Sequence, residues 1–425
     1  MAAEPRRSLW RHADFMKLWT AETISQLGSQ VSLLALPLVA ITVLDASAFQ
    51  VGLLGTVEFA PFVLVGLPAG VWVDRLRRRP VLVAGDLGRA LALASIPLAY
   101  ELGVLSIGQL YAVGFATGVL TVFFDVAYQS YLPALVEPDQ LVEGNSKLEI
   151  SRSGAQIAGP GLAGGLIDLV TAPVAVLADA LSFALSGAFI GLIRRGEPAP
   201  ERAPADRRRG SMRREIAEGL RYVLGHRLLR PIAACTATAN LFNAVMFAVV
   251  VLYMVRQLGL RPAAIGLVFA AGNLGFLAGA VVSGRLAARA GIGRAIVLGE
   301  AVGALGALLV PLAPRGAAVP LLVAGMAVGT FGSTVYNVNQ VSLRQAISPA
   351  RLHGRMNATM RFMVWGTLPL GSLLGGALGT AIGLRPTLWV GAAGGLLAVL
   401  PVALSPVRSL PSIADAMPET APAPP

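Results

Sequence analysis

Acidic side chains interrupt stretches of sequence that are otherwise apolar. Five of them lie far apart in the chain, each within an apolar run: Glu22, Glu58, Asp125, Asp179 and Glu300. An ionisable group inside a membrane is energetically costly, so it is a functional candidate by default. A carboxylate in such surroundings can exchange a proton near neutral pH. The chemistry that these residues offer is therefore proton transfer.

Glu22 and Glu58 are the best candidates for carrying a proton. Glu22 recurs with Gln26 and Gln30 at intervals of four residues, which places three polar side chains on one face of a helix. Glu58 lies near the middle of the apolar stretch 51–73. Two alternatives stay open, namely a helix-end carboxylate in interfacial water for Glu22 and a buried ion pair for Glu58.

Other polar residues could line a binding cavity or join helices to each other. Asp86 and Arg89 lie one helical turn apart, and we expect them to neutralise each other. Three spans supply the candidates for lining a cavity that accepts bulky amphipathic molecules: Gln26, Gln30, Asn240, Asn243, Phe247, Ser333, Tyr336 and Asn337. Polar contacts between helices are an equal alternative for this set.

The elements that position these residues follow from the composition. The chain has 425 residues, of which 55% are hydrophobic and 13% charged, against about 25% charged in a soluble domain. Its mean hydropathy is +0.69. Apolar runs of roughly 20 residues can cross a bilayer as helices. We predict an all-α polytopic membrane protein with twelve transmembrane helices, at about 15–43, 50–73, 81–100, 106–131, 146–169, 173–193, 231–255, 262–285, 293–313, 317–341, 356–382 and 386–405.

The basic residues predict the orientation. The formal net charge is +11, and arginines cluster in 74–80 and 194–230, whereas 44–50, 101–105 and 170–172 contain no Lys or Arg. Positive loops mark the cytoplasmic side, so we expect both termini and the central loop there. Because the arginines sit in short loops, this charge favours a solvated face over nucleic-acid binding.

The central loop carries one further pattern. Ile216, Leu220, Leu224 and Leu228 predict an amphipathic helix at the membrane surface, with a soluble linker helix as the alternative.

The two halves of the chain repeat. Six residues recur 211 positions later: Gln129, Leu132, Pro138, Leu141, Gly164 and Gly165 correspond to Gln340, Leu343, Pro349, Leu352, Gly375 and Gly376. Such a repeat is typical of transporters. It predicts a cytoplasmic segment 1–14, a six-helix bundle 15–193, a central loop 194–230, a second bundle 231–405 and a disordered tail 406–425.

One loop carries a family signature. Residues 70–80 read GVWVDRLRRRP, which resembles the loop 2–3 signature of the major facilitator superfamily through Gly70, Asp74, Arg75, Arg78 and Arg79, with Arg77 where that family has glycine. In the second half, GRLAARAGIGR repeats part of it through Gly284 and Arg289. The resemblance implies a conformational latch in which Arg78 pairs with a carboxylate on span four, for which Asp125 is the candidate. Simple anchoring of the topology is the alternative.

A second motif points to export. Residues 151–167 read SRSGAQIAGPGLAGGLI and resemble the Gly-Pro signature of exporters in this superfamily through Gly159, Pro160, Gly164 and Gly165. Both glycines stand one place late, and Ala155 replaces an upstream glycine, so ordinary small-residue packing is an alternative. The segments LWTAETISQLGSQVSLLALP, GDLGRAL and EGLRYVLGHRLLRP resemble the drug–proton antiporter group that includes macrolide and siderophore exporters.

These resemblances imply two pseudo-symmetric six-helix bundles with a substrate site between them. They imply a secondary active transporter that exports a hydrophobic or amphipathic small molecule, such as a drug or siderophore, in exchange for protons. Proton-coupled uptake of a small metabolite is the alternative. A membrane-embedded enzyme is a further rival, although no nucleophile–base pair stands out.

The expected partners follow from this interpretation. They are a small-molecule substrate, protons and the bilayer of a bacterial cytoplasmic membrane, with the chain acting as a monomer. No G-x-x-x-x-G-K-[ST] sequence is present, and one cysteine with three histidines makes a metal cluster unexpected. We therefore expect no cofactor, no metal and no nucleic acid.

Overall fold

The computed structural model describes residues 8–73, 75–195, 197, 209–349 and 352–416. Throughout these residues the chain forms helices joined by short turns, with no strand. The α-helices are α1 (Ala13–Thr42), α2 (Ala48–Leu64), α3 (Gly66–Val73), α4 (Arg78–Glu101), α5 (Ile107–Leu135), α6 (Leu141–Val170), α7 (Ala172–Gly191), α8 (Arg209–Gly225), α9 (Leu229–Arg256), α10 (Pro262–Ala290), α11 (Ile292–Leu312), α12 (Ala318–Ile347), α13 (His353–Ala381), α14 (Leu384–Leu397) and α15 (Val399–Ala403).

Within the described residues, ten helical segments are long and apolar enough to cross a membrane, taking α14 and α15 as one. The predicted second and fifth spans complete the twelve. The second is formed by α2 and α3, and the fifth is α6, whose first half carries the charged residues Glu143, Lys147, Glu149 and Arg152. The predicted all-α membrane fold is confirmed.

Two predicted spans are interrupted, and each interruption precedes a proline. Proline has no N–H to donate to the carbonyl four residues earlier, so an α-helix loses one bond there. The chain breaks after Leu64, four residues before Pro68, and again after Leu397, four residues before Pro401. Each break therefore divides one span into two helices.

The helix boundaries repeat with the same interval as the sequence. Adding 211 to the bounds of α5, α6 and α7 gives 318–346, 352–381 and 383–402. Helices α12 and α13 occupy 318–347 and 353–381, and α14 with α15 occupies 384–403. The repeat predicted from six residues therefore extends to the backbone, and the five-part division of the chain stays a prediction.

The chain forms two compact units. The first consists of the described residues of Met1–Ala203 with Met254–Ala270, and in it α1 packs against α6 and α7 while α4 packs against α5 and α7. The second consists of the described residues of Pro204–Tyr253 with Ala271–Pro425. There α11 packs against α12 and α14. A Cβ added to Gly332 of α12 would lie 2.2 Å from the backbone nitrogen of Gly303, so only glycine permits this approach.

The segment after α15 is ordered as far as the structure describes it, which corrects the predicted disordered tail for residues 406–416. Val407 is fully buried in a 3-10 turn, Pro406–Ser409. The backbone N–H groups of Ile292 and Gly293 donate to the carbonyls of Pro411 and Leu410, at 3.3 and 3.0 Å. The first N–H groups of a helix lack partners within it, so the tail completes the beginning of α11.

Candidate functional site

Glu58 lies in α2, half-buried, with its side chain against α5. A Cβ added to Gly114 of α5 would lie 3.1 Å from Cγ and 3.8 Å from Oε1 of Glu58, so the absence of a side chain at Gly114 makes room for the carboxylate. Among the residues that the structure describes, no hydrogen bond or salt bridge to this carboxylate is found. The alternative of a buried ion pair thus finds no support in the described part of the chain.

Glu22 is buried in α1, and its carboxylate accepts a hydrogen bond from the Gln26 amide at 2.7 Å. The predicted polar face therefore forms at least between these two residues. The charged groups that act electrostatically on Glu22 are Asp125, Arg89 and Asp86. Asp125 itself is exposed on α5. Glu22 thus belongs to a charged region shared by α1, α4 and α5.

Asp86 and Arg89 form a buried pair in α4, which confirms their predicted mutual neutralisation. Arg89 Nη2 donates to Asp86 Oδ1 at 2.5 Å, and the side chains are 5% and 0% exposed. The other Asp86 oxygen accepts from the Ser186 hydroxyl of α7 at 2.7 Å. The Arg89 guanidinium also lies 4.4 Å from the ring centre of Phe124 and 4.1 Å from that of Phe183. The pair thereby joins α4 to α5 and α7.

Asp179 is buried in α7 beside α1. Its Oδ1 accepts from the Ser182 hydroxyl at 3.0 Å. A Cβ added to Gly28 would lie 2.0 Å from Ser182 Oγ and 2.6 Å from Asp179 Oδ1, so glycine in α1 admits both polar groups. Asp179 is therefore packed like a residue that stabilises the contact between α7 and α1.

The arginines of the signature loop bind the end of α7 and the segment after it. Glu197 accepts from the backbone N–H groups of Arg78 and Arg79 at 2.7 and 3.2 Å, and it forms a 3.4 Å salt bridge with the Arg78 guanidinium. The Arg79 guanidinium donates to the carbonyls of Ile190 and Gly191. Glu197 therefore caps the beginning of α4, and Arg79 caps the end of α7.

This arrangement corrects the predicted pairing of Arg78 with Asp125, because the partner of Arg78 is Glu197. A carboxylate that also accepts N–H groups at a helix beginning gains from the helix dipole. Arg75 and Arg289 are exposed. A Cβ added to Gly70 or Gly284 would meet nothing within 4 Å, so neither glycine makes a close helix contact here. Asp74 lies outside the described residues.

The Gly-Pro motif of α6 contains two close contacts. A Cβ on Gly164 would lie 2.4 Å from the carbonyl oxygen of Pro262 and 2.8 Å from Cα of Gly266, at the beginning of α10 in the same unit. A Cβ on Gly159 would lie 2.3 Å from Cγ of Gln30, which therefore packs across α6. A Cβ on Gly165 would meet nothing within 4 Å, so this structure gives Gly165 no close contact, and its packing role stays a prediction.

The cavity candidates of the second unit divide into exposed and buried residues. The exposed ones lie four apart on two helices, Asn243 and Phe247 on α9 and Ser333 and Asn337 on α12. Asn240 is half-buried and donates to the Thr236 carbonyl of its own helix at 2.8 Å.

Tyr336 does not line a cavity as predicted, because only 5% of this residue is exposed. Its hydroxyl lies 2.6 Å from the Thr236 hydroxyl and donates to the Ile232 carbonyl at 3.3 Å. Hydrogen bonding to α9 satisfies the hydroxyl in the interior, which is the usual condition for a buried tyrosine. Tyr336 therefore joins α12 to α9.

Sequence reasoning gave little weight to Glu300 and did not consider Glu197. Glu300 is buried in α11 at the position 211 residues after Arg89, and no hydrogen bond or ion pair to it is found within the described residues. Its position inside an apolar run provided the signal for Glu300. Glu197 gave no comparable signal, because its partners lie 118 and 119 residues away in the sequence. No group of three His, Cys, Asp or Glu residues that could hold a metal occurs in the described ranges.

The comparisons with known proteins agree on a transporter. The model of the transmembrane secretion effector family matches residues 7–425. The chain is 30% identical over 381 residues to the multidrug efflux pump Tap of Mycolicibacterium fortuitum. This alignment covers 85% of this chain and 88% of that pump. The chain is also 22% identical over 180 residues to macrolide efflux protein A of Streptococcus pyogenes. That alignment covers 42% of this chain and 44% of that protein.

A solved structure supports the fold. The crystal structure of a bacterial homologue of the iron transporter ferroportin, in an inward-facing state, matches with a TM-score of 0.77 at 18% identity. The match covers 94% of this chain and 99% of that one. At this identity the likeness concerns the fold alone.

Proposed function

Because the chain belongs to the transmembrane secretion effector family of major facilitator transporters, we propose that it exports a hydrophobic or amphipathic small molecule in exchange for protons. The relatives named as a multidrug efflux pump and a macrolide efflux protein support the direction of transport. The exposed Phe247 with the exposed Asn243 supports an amphipathic substrate, since together they offer apolar surface and hydrogen-bonding groups.

Glu58 carries the proposal of proton coupling. It is a half-buried carboxylate in the middle of a predicted span, and within the described residues it has no partner that would hold its charge. Such a group can bind a proton when it faces an apolar environment and release it when it faces water. Glu22 is the second proton carrier that we propose, with Gln26 orienting its carboxylate.

The substrate contacts that we propose are Phe247 and the exposed or half-buried polar residues of the candidate helices: Gln26, Gln30, Asn240, Asn243, Ser333 and Asn337. The latch that we propose consists of Gly70, Asp74, Arg75, Gly284 and Arg289. Its contacts would form in only one state of the transport cycle and thereby shift the equilibrium between states. An Asp74→Asn variant should slow transport and leave substrate binding intact, and loss of binding would contradict this role.

Transport in proteoliposomes tests the proposal. Purified chain is reconstituted with a pH-sensitive dye inside, a pH gradient is imposed, and uptake of ethidium and of a macrolide is measured together with proton flux. Antiport predicts substrate accumulation coupled to proton movement in the opposite direction. Proton flux in the same direction as the substrate would indicate uptake and refute export.

Carboxylate variants then test the residues. We expect Glu58→Gln to abolish accumulation driven by the pH gradient while exchange of labelled for unlabelled substrate continues, because only the proton site is removed. Glu101→Gln removes an exposed carboxylate at the end of α4 and should behave as wild type. Unchanged coupling in both Glu58→Gln and Glu22→Gln would refute the assignment of the proton carriers.

We propose that both termini, the loop 74–80 and the segment 194–230 lie on the cytoplasmic side of a bacterial plasma membrane. Cys235 is fully buried, so the native chain offers a low background for thiol labelling. In intact cells, an impermeant reagent should label Val104→Cys but not Arg75→Cys. The reverse pattern would refute the orientation.

A further inference from the structure

A basic recess lies where two candidate membrane spans of the second unit end. It has a volume of about 550 Å³ and is lined by Arg227, Arg230, Pro231, Ala234, Pro401, Leu404, Ser405 and Pro406. Arg230 is the second residue of α9, and Leu404 directly follows α15. The beginning of one span and the end of another therefore form its walls. This volume lies within the range of small-molecule sites, about 300–1,000 Å³.

The charge of the recess is uncompensated within the described part of the chain. Both lining arginines are exposed, and among the described residues neither guanidinium has a salt bridge or hydrogen-bond partner. None of the lining residues is acidic. The Ser405 hydroxyl is already occupied, because it donates to the Val402 carbonyl and accepts from the Val407 N–H, at 3.0 and 3.2 Å. The two guanidinium groups are therefore the groups available for an anion.

The remaining lining is apolar and follows the membrane spans. Ala234 lies five residues after the first residue of α9, about 7.5 Å along the helix at 1.5 Å per residue. Pro401 lies within α15, and Leu404 is 79% exposed. A ligand that fills this recess must carry negative charge at the level of the arginines and an apolar part along α9 and α15. An anionic phospholipid has both parts in this order.

We propose that the recess binds the headgroup of an anionic phospholipid through Arg227 and Arg230, with an acyl chain along α9 and α15. Basic pockets between transmembrane helices bind anionic headgroups in this way. Two arginines at a membrane surface together favour an anionic over a zwitterionic headgroup by about thirtyfold. The site is separate from the residues proposed for proton and substrate transport.

Native mass spectrometry of the full chain in an uncharged detergent measures this preference. The protein is titrated with phosphatidylglycerol or phosphatidylethanolamine of identical acyl chains. We expect the wild type to bind phosphatidylglycerol about thirtyfold more tightly, and an Arg227→Gln/Arg230→Gln variant to lose that difference. The matched control is Arg285→Gln/Arg294→Gln, which removes two other exposed arginines of the same unit and should keep the preference.

Several outcomes would overturn the proposal. A wild type without preference refutes it whatever the variants do, so the test does not depend on the variants folding. A preference that survives in Arg227→Gln/Arg230→Gln, or that falls equally in the control, places lipid binding elsewhere. Displacement of phosphatidylglycerol by millimolar inorganic phosphate would show that a free anion, and not a lipid, is the ligand. An Arg227→Lys/Arg230→Lys variant should retain most of the preference, since its charges remain.

Discussion

Removing the charge of either Asp86 or Arg89 alone should strongly lower the free energy of unfolding of the first unit. Removing both charges should lower it by less than the sum of the two single losses. In Asp86→Asn the buried guanidinium loses its counter-charge and keeps only neutral contacts, namely the Thr121 hydroxyl and the Gly85 carbonyl, each at 3.4 Å, and the rings of Phe124 and Phe183. In Arg89→Gln a buried carboxylate keeps only the Ser186 hydroxyl, at 2.7 Å, among its described hydrogen bonds. Each variant therefore leaves one charge uncompensated in the interior.

The magnitude follows from the burial of both groups. Removing one partner of a buried ion pair costs about 3–5 kcal/mol, because the remaining charge stays desolvated. Arg89→Gln should lie toward the upper end, since it also loses two ring contacts, each worth about 0.5–2 kcal/mol. The double variant carries neither charge of the pair, so we expect its loss to be about 2–3 kcal/mol smaller than the sum of the single losses.

Unfolding in mixed micelles, followed by circular dichroism, gives the free energies for this double-mutant cycle. Glu149 and Arg152 provide the matched control, because they have the same i,i+3 spacing on α6 but are 64% and 57% exposed. Their cycle should give less than about 1 kcal/mol of coupling, as exposed pairs do. Additive losses for Asp86→Asn and Arg89→Gln would refute the conclusion that this pair, and not the separate packing of its members, stabilises α4 against its neighbours.

Three further predictions concern the backbone and the segment between the halves. Thr171, the N-cap of α7, has φ 82° and ψ 156°, a region that costs non-glycine residues about 1–3 kcal/mol. Thr171→Gly should raise the free energy of unfolding, and Gly383→Thr, with φ 90° at the N-cap of α14, should lower it. Gly164→Ala places Cβ 2.4 Å from a backbone carbonyl of α10 and should reduce both stability and transport, whereas Gly165→Ala, with nothing within 4 Å, should change neither. Burial and, to a smaller extent, the positive charge of Arg227 lower the pKa of His226 from 6.5. As the pH falls below 6.5, His226 therefore binds a proton in the unfolded chain before it does so in the folded chain, which lowers the free energy of unfolding. Thermal melting at decreasing pH should show a larger loss of stability for the wild type than for His226→Asn.

The fold could be predicted largely from periodicity and composition, because apolar runs of membrane length form helices almost regardless of their neighbours. The breaks after Leu64 and Leu397 were not predicted, because Pro68 and Pro401 follow a break whereas Pro37, Pro97 and Pro160 lie inside unbroken helices. The order of residues 406–416 was not predictable in the same way. It depends on Val407 finding a buried place and on carbonyls meeting N–H groups of a helix that begins more than 100 residues earlier.

The candidate site was predictable only where neighbours in the sequence are partners in the structure. Asp86 and Arg89 lie on one helical turn, and Glu22 and Gln26 are four residues apart, so the sequence contains both members of each pair. Arg78 instead pairs with Glu197, and Tyr336 with α9, across 119 and about 100 residues. Which distant residue fills such a position depends on packing between helices, and a single sequence does not contain that information.

The basic residues that predict orientation also cap helix ends. Arg79 donates to the last carbonyls of α7, Lys17 donates to the Leu192 carbonyl at 2.8 Å, and Arg195 donates to the Leu135 carbonyl at the end of α5, also at 2.8 Å. Cations at helix C-termini complement the dipole and satisfy carbonyls that lack partners. Because Arg79 and Arg78 are engaged within one unit, a contact that changes during transport must come from the part of the signature not so engaged. Among the described arginines that match the signature this selects Arg75, which is exposed. Arg75→Gln should therefore alter the transport rate more than the stability, and Arg79→Gln the stability more than the rate.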